Sequence, residues 1–163
     1  KMLIFFFLIF LSSFIILESK ISWNIYSFSS IKLDGSVYSW GSEWLGGKQG
    51  TSSQYLYSDV ISIYSTQTSF VALKNNGKVI TWGSSGNGGD ISTINISLPV
   101  ISITSTYSAF AAIMINGEVV AWGDRINGGN MTKVKKKLKS NVVSIYSNCY
   151  AFAAVKKDGS VVT

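Results

Sequence analysis

The chain has 163 residues, 47% of them apolar and 13% aromatic, which suits a domain with a buried core and excludes a disordered segment. Only 13% are charged, and five of the fourteen basic residues behind the net charge of +6 lie in one run, "KVKKKLK", Lys133 to Lys139, so the basic excess is local. Histidine is absent and Cys149 is the single cysteine, which excludes His-based triads, imidazole bases, an intrachain disulfide and a thiolate metal cluster.

The N-terminus reads "KMLIFFFLIFLSSFIILESK". Fifteen residues, Leu3 to Leu17, carry no charge between Lys1 and Glu18. That length fits a secretory h-region better than a bilayer span of about 20 residues. Residues 1–18 are therefore expected to be an apolar helix, acting as signal peptide or membrane anchor on a secreted or membrane-anchored, extracytoplasmic product. Membrane contact is expected only through residues 3–17. Lys1 ahead of Met2 points to a fragment.

From residue 19 a pattern recurs. Trp40-Gly41, Trp82-Gly83 and Trp122-Gly123 are spaced by 42 and 40 residues, and each is followed at +6 and +7 by a Gly pair and at +16 by leucine. Six residues before each Trp stands Asp34, Asn76 or Asn116, followed by Gly; the same register holds Asp158-Gly159. Periods of 20 to 50 residues are the signature of stacked repeat architectures. The expected units are 19–59, 60–99, 100–141 and a truncated 142–163.

Within a unit, "VISIYS" (Val60 to Ser65), "SFVALK" (Ser69 to Lys74) and "KVITWG" (Lys78 to Gly83) are short β-branched and aromatic runs bounded by turn residues, hence three antiparallel strands. Asn76-Gly77 and its counterparts are expected to supply positive φ angles for a tight hairpin. The second strand is apolar on both faces, with Phe70 and Ala72 on one and Val71 and Leu73 on the other, so it must be covered twice. Stacked sheets, as in a propeller, do this. The recurrent Trp then reads as a wedge between neighbouring sheets, and the Gly after it as the point where the chain leaves the sheet. Cys149 is expected to be a small buried hydrophobe.

After the Gly pair, apolar residues four apart (Ile94 and Leu98; Val134 and Leu138) predict one or two helical turns, capped by Asp90 or Ser92 and by Asn130 or Thr132. The first copy lacks the earlier apolar residue and fits less well.

The composite pattern, strand, Ala-Phe-Ala-Ala-like strand, (Asp/Asn)-Gly, Val-x-x-Trp-Gly, Gly-Gly, resembles the regulator of chromosome condensation repeat over residues 19 to 163. The resemblance implies a β-propeller, here a partial one of about 3.5 short blades. It departs from the family pattern at Ser69, Ala109 and Ala151, where a histidine is common, and in the shortened glycine loop. The repeats are also short for the family, which implies that a fourth strand per blade is missing or replaced by the short helix. The loops with which some members act on a small GTPase match nothing here, so guanine nucleotide exchange is not carried over. Units that cannot close a ring leave apolar faces and sheet edges open, so a longer product or self-association through open blade edges is expected.

No sequence-local carboxylate pair suggests general acid/base work, and the "WGSSGNGG" loop lacks the Lys-Ser or Lys-Thr of a phosphate cradle. The expectation is a non-enzymatic module with no cofactor, no metal site and no specific nucleic-acid partner. Its leading function is binding another protein through loops 42–59, 84–99 and 124–141. The alternative is a glycan or anionic polymer, held by exposed Trp44 and by Lys133, Lys135, Lys136, Lys137 and Lys139. Asn95-Ile96-Ser97 and Asn130-Met131-Thr132 are candidate glycosylation sequons.

Overall fold

A run of four to six extended residues can bury itself only by pairing and stacking, and the chain does both. The computed structural model describes residues 20–163, so the leader read as a helix at 1–18 lies outside the described residues. Among the described residues twelve strands form four three-stranded antiparallel sheets, each in simple chain order. The first holds β1 (Lys20–Trp23), β2 (Ser27–Ile31) and β3 (Val37–Gly41); the second β4 (Val60–Ser65), β5 (Ser69–Lys74) and β6 (Val79–Gly83). The third holds β7 (Val100–Ser105), β8 (Ala109–Met114) and β9 (Val119–Gly123); the fourth β10 (Val142–Ser147), β11 (Phe152–Lys156) and β12 (Val161–Val162). The fold is all-β, a partial β-propeller in which each sheet is a blade.

The two-sided burial of the second strand is what stacks the blades. Phe70 and Ala72 of β5 pack in a core with Ile31, Val37 and Leu56 from the first blade, whereas Val71 and Leu73 pack with Phe110, Ala112 and Trp122 of the third. Ile113 and Val119 in turn meet Val142, Ala154 and Val162 of the fourth. Each fully buried Val, Leu or Phe contributes on the order of 1.5–3 kcal/mol relative to exposure, so the joints are the main source of stability. Alanines at 72, 112 and 154 keep neighbouring sheets close.

Both ends of each joint are also stitched by backbone. At one end the hairpin glycine accepts from the next blade: Val60 N to Gly35 O at 3.1 Å, Val100 N to Gly77 O at 3.0 Å, and Val142 N to Gly117 O at 3.1 Å. At the other, the turns between first and second strands are linked in series, Ile25 N to Gln67 O, Gln67 N to Tyr107 O and Tyr107 N to Cys149 O. Cys149 therefore lies in an exposed turn, equivalent to Gln67 and Tyr107, and is no core residue. Its apolar neighbours belong to the strands on either side.

The hairpins depart from expectation in one respect. Only the glycine takes positive φ, +79° at Gly77, while Asn76 serves through its side chain, accepting from Lys78 N at 3.0 Å. The same Asx bond recurs at Asp34, Asn116 and Asp158. For the aspartates at 34 and 158 the hydroxyls of Ser36 and Ser160, then their backbone amides, hold the carboxyl below its ordinary value.

The loop helices differ more. Residues 90–99 form turns and no helix: Asp90 accepts from Ser92 N, Ile94 N bonds Ile91 O, and Pro99 disfavours a helical residue before it. Leu98 is exposed in consequence, while Ile94 and Ile96 pack against the core. In the fourth-blade approach a single 3-10 turn, Lys135–Leu138, buries Leu138; Asn130 accepts from Thr132 upstream but does not cap that turn. The first copy, which lacks the periodic apolar residue, has the longest turn, Gly50–Tyr55, anchored by the buried Leu56.

Candidate functional site

The candidate surface is the rim where the third strands of the first three blades end. There the chain leaves the sheet at Trp-Gly, makes one tight turn and doubles back through the Gly pair. The turns are Glu43–Leu45, Ser85–Asn87 and Arg125–Gly129, which sequence periodicity does not reveal because they are a single turn long. Asp124 caps the third by accepting from Ile126 N and Asn127 N, both at 2.9 Å.

The first two turns are held from three directions and the third, Arg125–Gly129, from the first two of these. The first is its own blade: Asn24 Nδ2 donates to Leu45 O at 2.7 Å, Thr66 Oγ1 to Asn87 O at 3.0 Å, and Thr106 Oγ1 to Asn127 O at 2.7 Å. The second is its own amides, Gly89 N bonding Ser84 O and Gly129 N bonding Asp124 O, both at 2.8 Å. The glycine amides at 47, 89 and 129 are thus engaged internally and do not cradle a phosphate. The third is the next blade. Trp82 Nε1 donates to Gly46 O and Trp122 Nε1 to Gly88 O, each at 3.1 Å, and a Cβ on Gly88 would lie 2.5 Å from the Phe110 ring. Every indole here stacks on the phenylalanine across the strand pair, Phe70 with Trp82 at 5.4 Å and Phe110 with Trp122 at 5.6 Å.

On this rigid base the tip residues point outward. Trp44 is 84% exposed and Ile126 89%, and they occupy the same position, four after the Trp, in the first and third turns. Gly86 holds that position between them. The exposure of Trp44 agrees with its place outside the repeated Trp position, and the only sign of Ile126 in the sequence is its offset from Trp122. Two equivalent grooves separate the turns, about 410 Å³ beside Trp44, Lys48, Thr81 and Trp82, and about 450 Å³ beside Gly86, Asp90, Trp122 and Arg125. Glu43 and Lys48 pair at 3.6 Å across the first, in water, so the pair adds little stability. Ser92, first through its amide, lowers the Asp90 carboxyl, which keeps a negative charge on the second.

The remaining sequence candidates fall elsewhere. Lys133, Lys135, Lys136, Lys137 and Lys139 are all exposed, with Val134 and Leu138 turned into the core beneath them. Asn95 and Asn130 are exposed, and Asn130 Oδ1 accepts from both the amide and the hydroxyl of Thr132. Among the described residues no group of three His, Cys, Asp or Glu side chains is placed to hold a metal ion. Trp40, in the first blade, has no described blade before it and is 39% exposed, stacked between Phe28 and Tyr38. With Ile21 and Trp23 these form an open aromatic face.

No protein-family model matches the chain, and no curated protein matches it. Solved structures do. Prp20p from Saccharomyces cerevisiae, a protein with binding properties to Gsp1p and histones, superposes with a TM-score of 0.62 at 17% identity, over 88% of this chain and 43% of that one. The same yeast protein, RCC1 (Prp20), in its complex with Kap60 gives 0.60 at 16% identity, over 88% and 42%. The ectodomain of the Physcomitrella patens receptor kinase CR4 gives 0.59 at 17% identity, over 87% and 39%. The chain spans about two-fifths of the length of these proteins. Similarity at such low identity shows the fold alone, a β-propeller array.

Proposed function

We propose that this chain is a non-catalytic recognition module that binds another protein through the rim carrying Trp44 and Ile126. The observation that carries the reading is the placement of two large apolar side chains, nearly fully exposed, at the same position of two turns that are each held by a side chain of their own blade and by an internal glycine amide. Exposing them costs solubility, and interfaces draw their energy from a few such anchors. The intervening Gly86 leaves a gap into which a partner side chain fits. The general role is in keeping with Prp20p, which binds Gsp1p and histones, and with its complex with Kap60. A regulator of chromosome condensation-like ancestry remains part of this reading, resting on the Asp-Gly to Trp-Gly pattern; the exchange activity of that family does not. Secretion or membrane anchoring through residues 1–18 belongs to the same proposal. The test is cross-linking from a benzophenone placed at Ser85, comparing the native rim with Trp44→Ser/Ile126→Ser. The double variant should lose at least tenfold in captured partner with an unchanged circular dichroism spectrum. Equal capture by both would rule out the rim.

A second reading has its own observation. Five exposed lysines within seven residues, with no carboxylate paired to them among the described residues, form a site for an anionic polymer such as a sulfated glycan. Lys135→Ser/Lys136→Ser/Lys137→Ser should elute from heparin at clearly lower salt. Unchanged elution would remove this reading.

A further inference from the structure

The first blade closes the outer edge of its own sheet. Val37 N donates to Leu56 O at 2.8 Å and Gln49 Nε2 donates to Val37 O at 2.9 Å, so both backbone groups of this β3 residue are engaged on the side away from β2. Counted from the repeated Trp, the second blade has Val79 in place of Val37 and Ile91 in place of Gln49. Lys74 N bonds Lys78 O and Ser84 N bonds Thr68 O, which turns residues 78, 80, 82 and 84 toward β5 and leaves Val79 and Thr81 facing outward. Thr81 O accepts from Ser52 Oγ at 2.7 Å, whereas Val79 N and O have no partner among the described residues.

The sequence accounts for both vacancies. Ile91 removes the amide donor that Gln49 supplies. The loop that follows is two residues shorter, with Trp82 and Val100 18 positions apart and Trp40 and Val60 20 apart. It ends at Pro99, whose ring forbids the φ of +65° that Asp59 takes just before Val60. No carbonyl of this shortened loop reaches Val79 N, and Leu98 at its end is exposed. Between the loop and β6 lies a groove of about 520 Å³, lined by Val79, Ile91, Ile94, Ile96 and Leu98, with Lys78 as the one charged residue in its lining. It opens at the hairpin end of the blade, beside Asn76 and Gly77, away from the rim that carries Trp44 and Ile126.

We propose that this groove binds a short extended peptide of a partner protein, paired antiparallel to β6 at Val79 and carrying an acidic residue opposite Lys78. The occupant must supply what the chain itself supplies to Val37, a carbonyl for the N–H and an N–H for the carbonyl. One residue of an extended backbone offers both on the same side. Lys78 has no carboxylate paired to it among the described residues; its Nζ rests 4.7 Å over the Tyr55 ring, and a cross-strand carboxylate complements it. Apolar side chains flanking the pair cover Ile94, Ile96 and Leu98. The volume falls within the about 300–1,000 Å³ of sites for small ligands. Because Thr81 O is already bonded, the ladder ends after Val79, which keeps the segment short.

The experiment is calorimetric titration of the chain with acetyl-Ile-Val-Glu-Ile-amide, with the same peptide N-methylated at valine, and with glutamine in place of its glutamate. The parent peptide should bind one to one and saturably. The N-methyl peptide should bind roughly three- to tenfold more weakly, the worth of one hydrogen bond to Val79 O. The glutamine peptide should also bind more weakly, and without the parent's decline as salt rises. Ile91→Gln, which returns a donor to Val79 O, should weaken the parent at least threefold, and Lys78→Ser should erase the difference between the glutamate and glutamine peptides. Absence of saturable binding by the parent, as when a second copy of the chain closes the groove, overturns the proposal. So does an N-methyl or a glutamine peptide as tight as the parent. The three peptides are compared on the unaltered chain, so the outcome does not depend on either variant folding.

Discussion

The indole nitrogen of Trp82 lies 3.1 Å from the carbonyl oxygen of Gly46, a residue of the preceding blade's rim turn, and Trp122 repeats the contact to Gly88 at the same distance. One side chain therefore seals the joint between two blades and fixes the preceding blade's rim turn, which couples the core to the rim.

The coupling predicts what Trp82→Phe does. The aromatic contact with Phe70 is largely kept, but Gly46 O becomes an unsatisfied buried acceptor, at a cost of about 1–3 kcal/mol. Trp82→Ala adds a cavity and should cost about 3–5 kcal/mol. Trp40→Phe, at a position 39% exposed, should change stability by less than about 0.5 kcal/mol. Urea unfolding of the three variants checks the order; a Trp40 variant as damaging as the Trp82 pair would refute it.

Gly88 and Gly86 are two residues apart and should behave oppositely. At Gly88 φ is +96° and a Cβ meets Phe110 at 2.5 Å, so Gly88→Ala has both backbone strain and a clash and should lose more than about 2 kcal/mol. At Gly86 nothing lies within 4 Å, and Gly86→Ala should stay within about 0.5 kcal/mol of the parent. Thermal melts of both proteins measure the difference, and similar melting temperatures would count against the turn geometry described.

Acid should loosen the hairpins at Asp34 and Asp158. Both carboxyls are held below their ordinary value of 3.8 by Ser36 and Ser160. A carboxylate with a lowered folded pKa stabilises the fold while ionised, so the contribution is present above 3.8 and is lost as pH falls through the folded values. Asn76 and Asn116 make the same bond without a charge, at 3.0 and 2.9 Å. Asp34→Asn/Asp158→Asn should therefore fold, and its denaturation midpoint should fall less steeply below 3.8 than the parent's. Parallel pH profiles would exclude this role.

The first blade's open face predicts self-association. Trp23, Phe28, Tyr38 and Trp40 are exposed together, where the second and third blades bury their equivalent Phe and Trp. Sedimentation velocity should show mass rising with concentration, and Trp23→Ser/Phe28→Ser should suppress the rise. A concentration-independent monomer for the unaltered chain would contradict it.

Much of the architecture is legible in the residues. β4 and β5 begin and end where "VISIYS" and "SFVALK" do, and β6 is one residue shorter than "KVITWG", because alternation and turn residues act locally. The double burial of Phe70 to Leu73 follows from apolar residues on both faces. What escapes is set by contacts between segments. The single-turn elements at 43–45 and 85–87 are too short to carry a period. The tether from Asn24 or Thr66 to the turn of its own blade joins residues 21 apart and looks like ordinary turn chemistry in the sequence. Cys149 sits among apolar neighbours yet belongs to a turn, and residues 90–99 follow Pro99 rather than the spacing of Ile94 and Leu98.

The central claim is that tryptophans at one repeat position join successive blades, and indole hydrogen exchange reads it directly. The chain has five tryptophans. In a ¹⁵N-labelled sample transferred to deuterium oxide, the indole N–H signals of Trp82 and Trp122, 3% and 2% exposed and bonded to a preceding blade, should persist. Those of Trp23, Trp40 and Trp44 should vanish within the dead time, with assignments from single Trp→Phe changes. Five signals lost together, or protection at Trp44 and none at Trp82, would contradict the account.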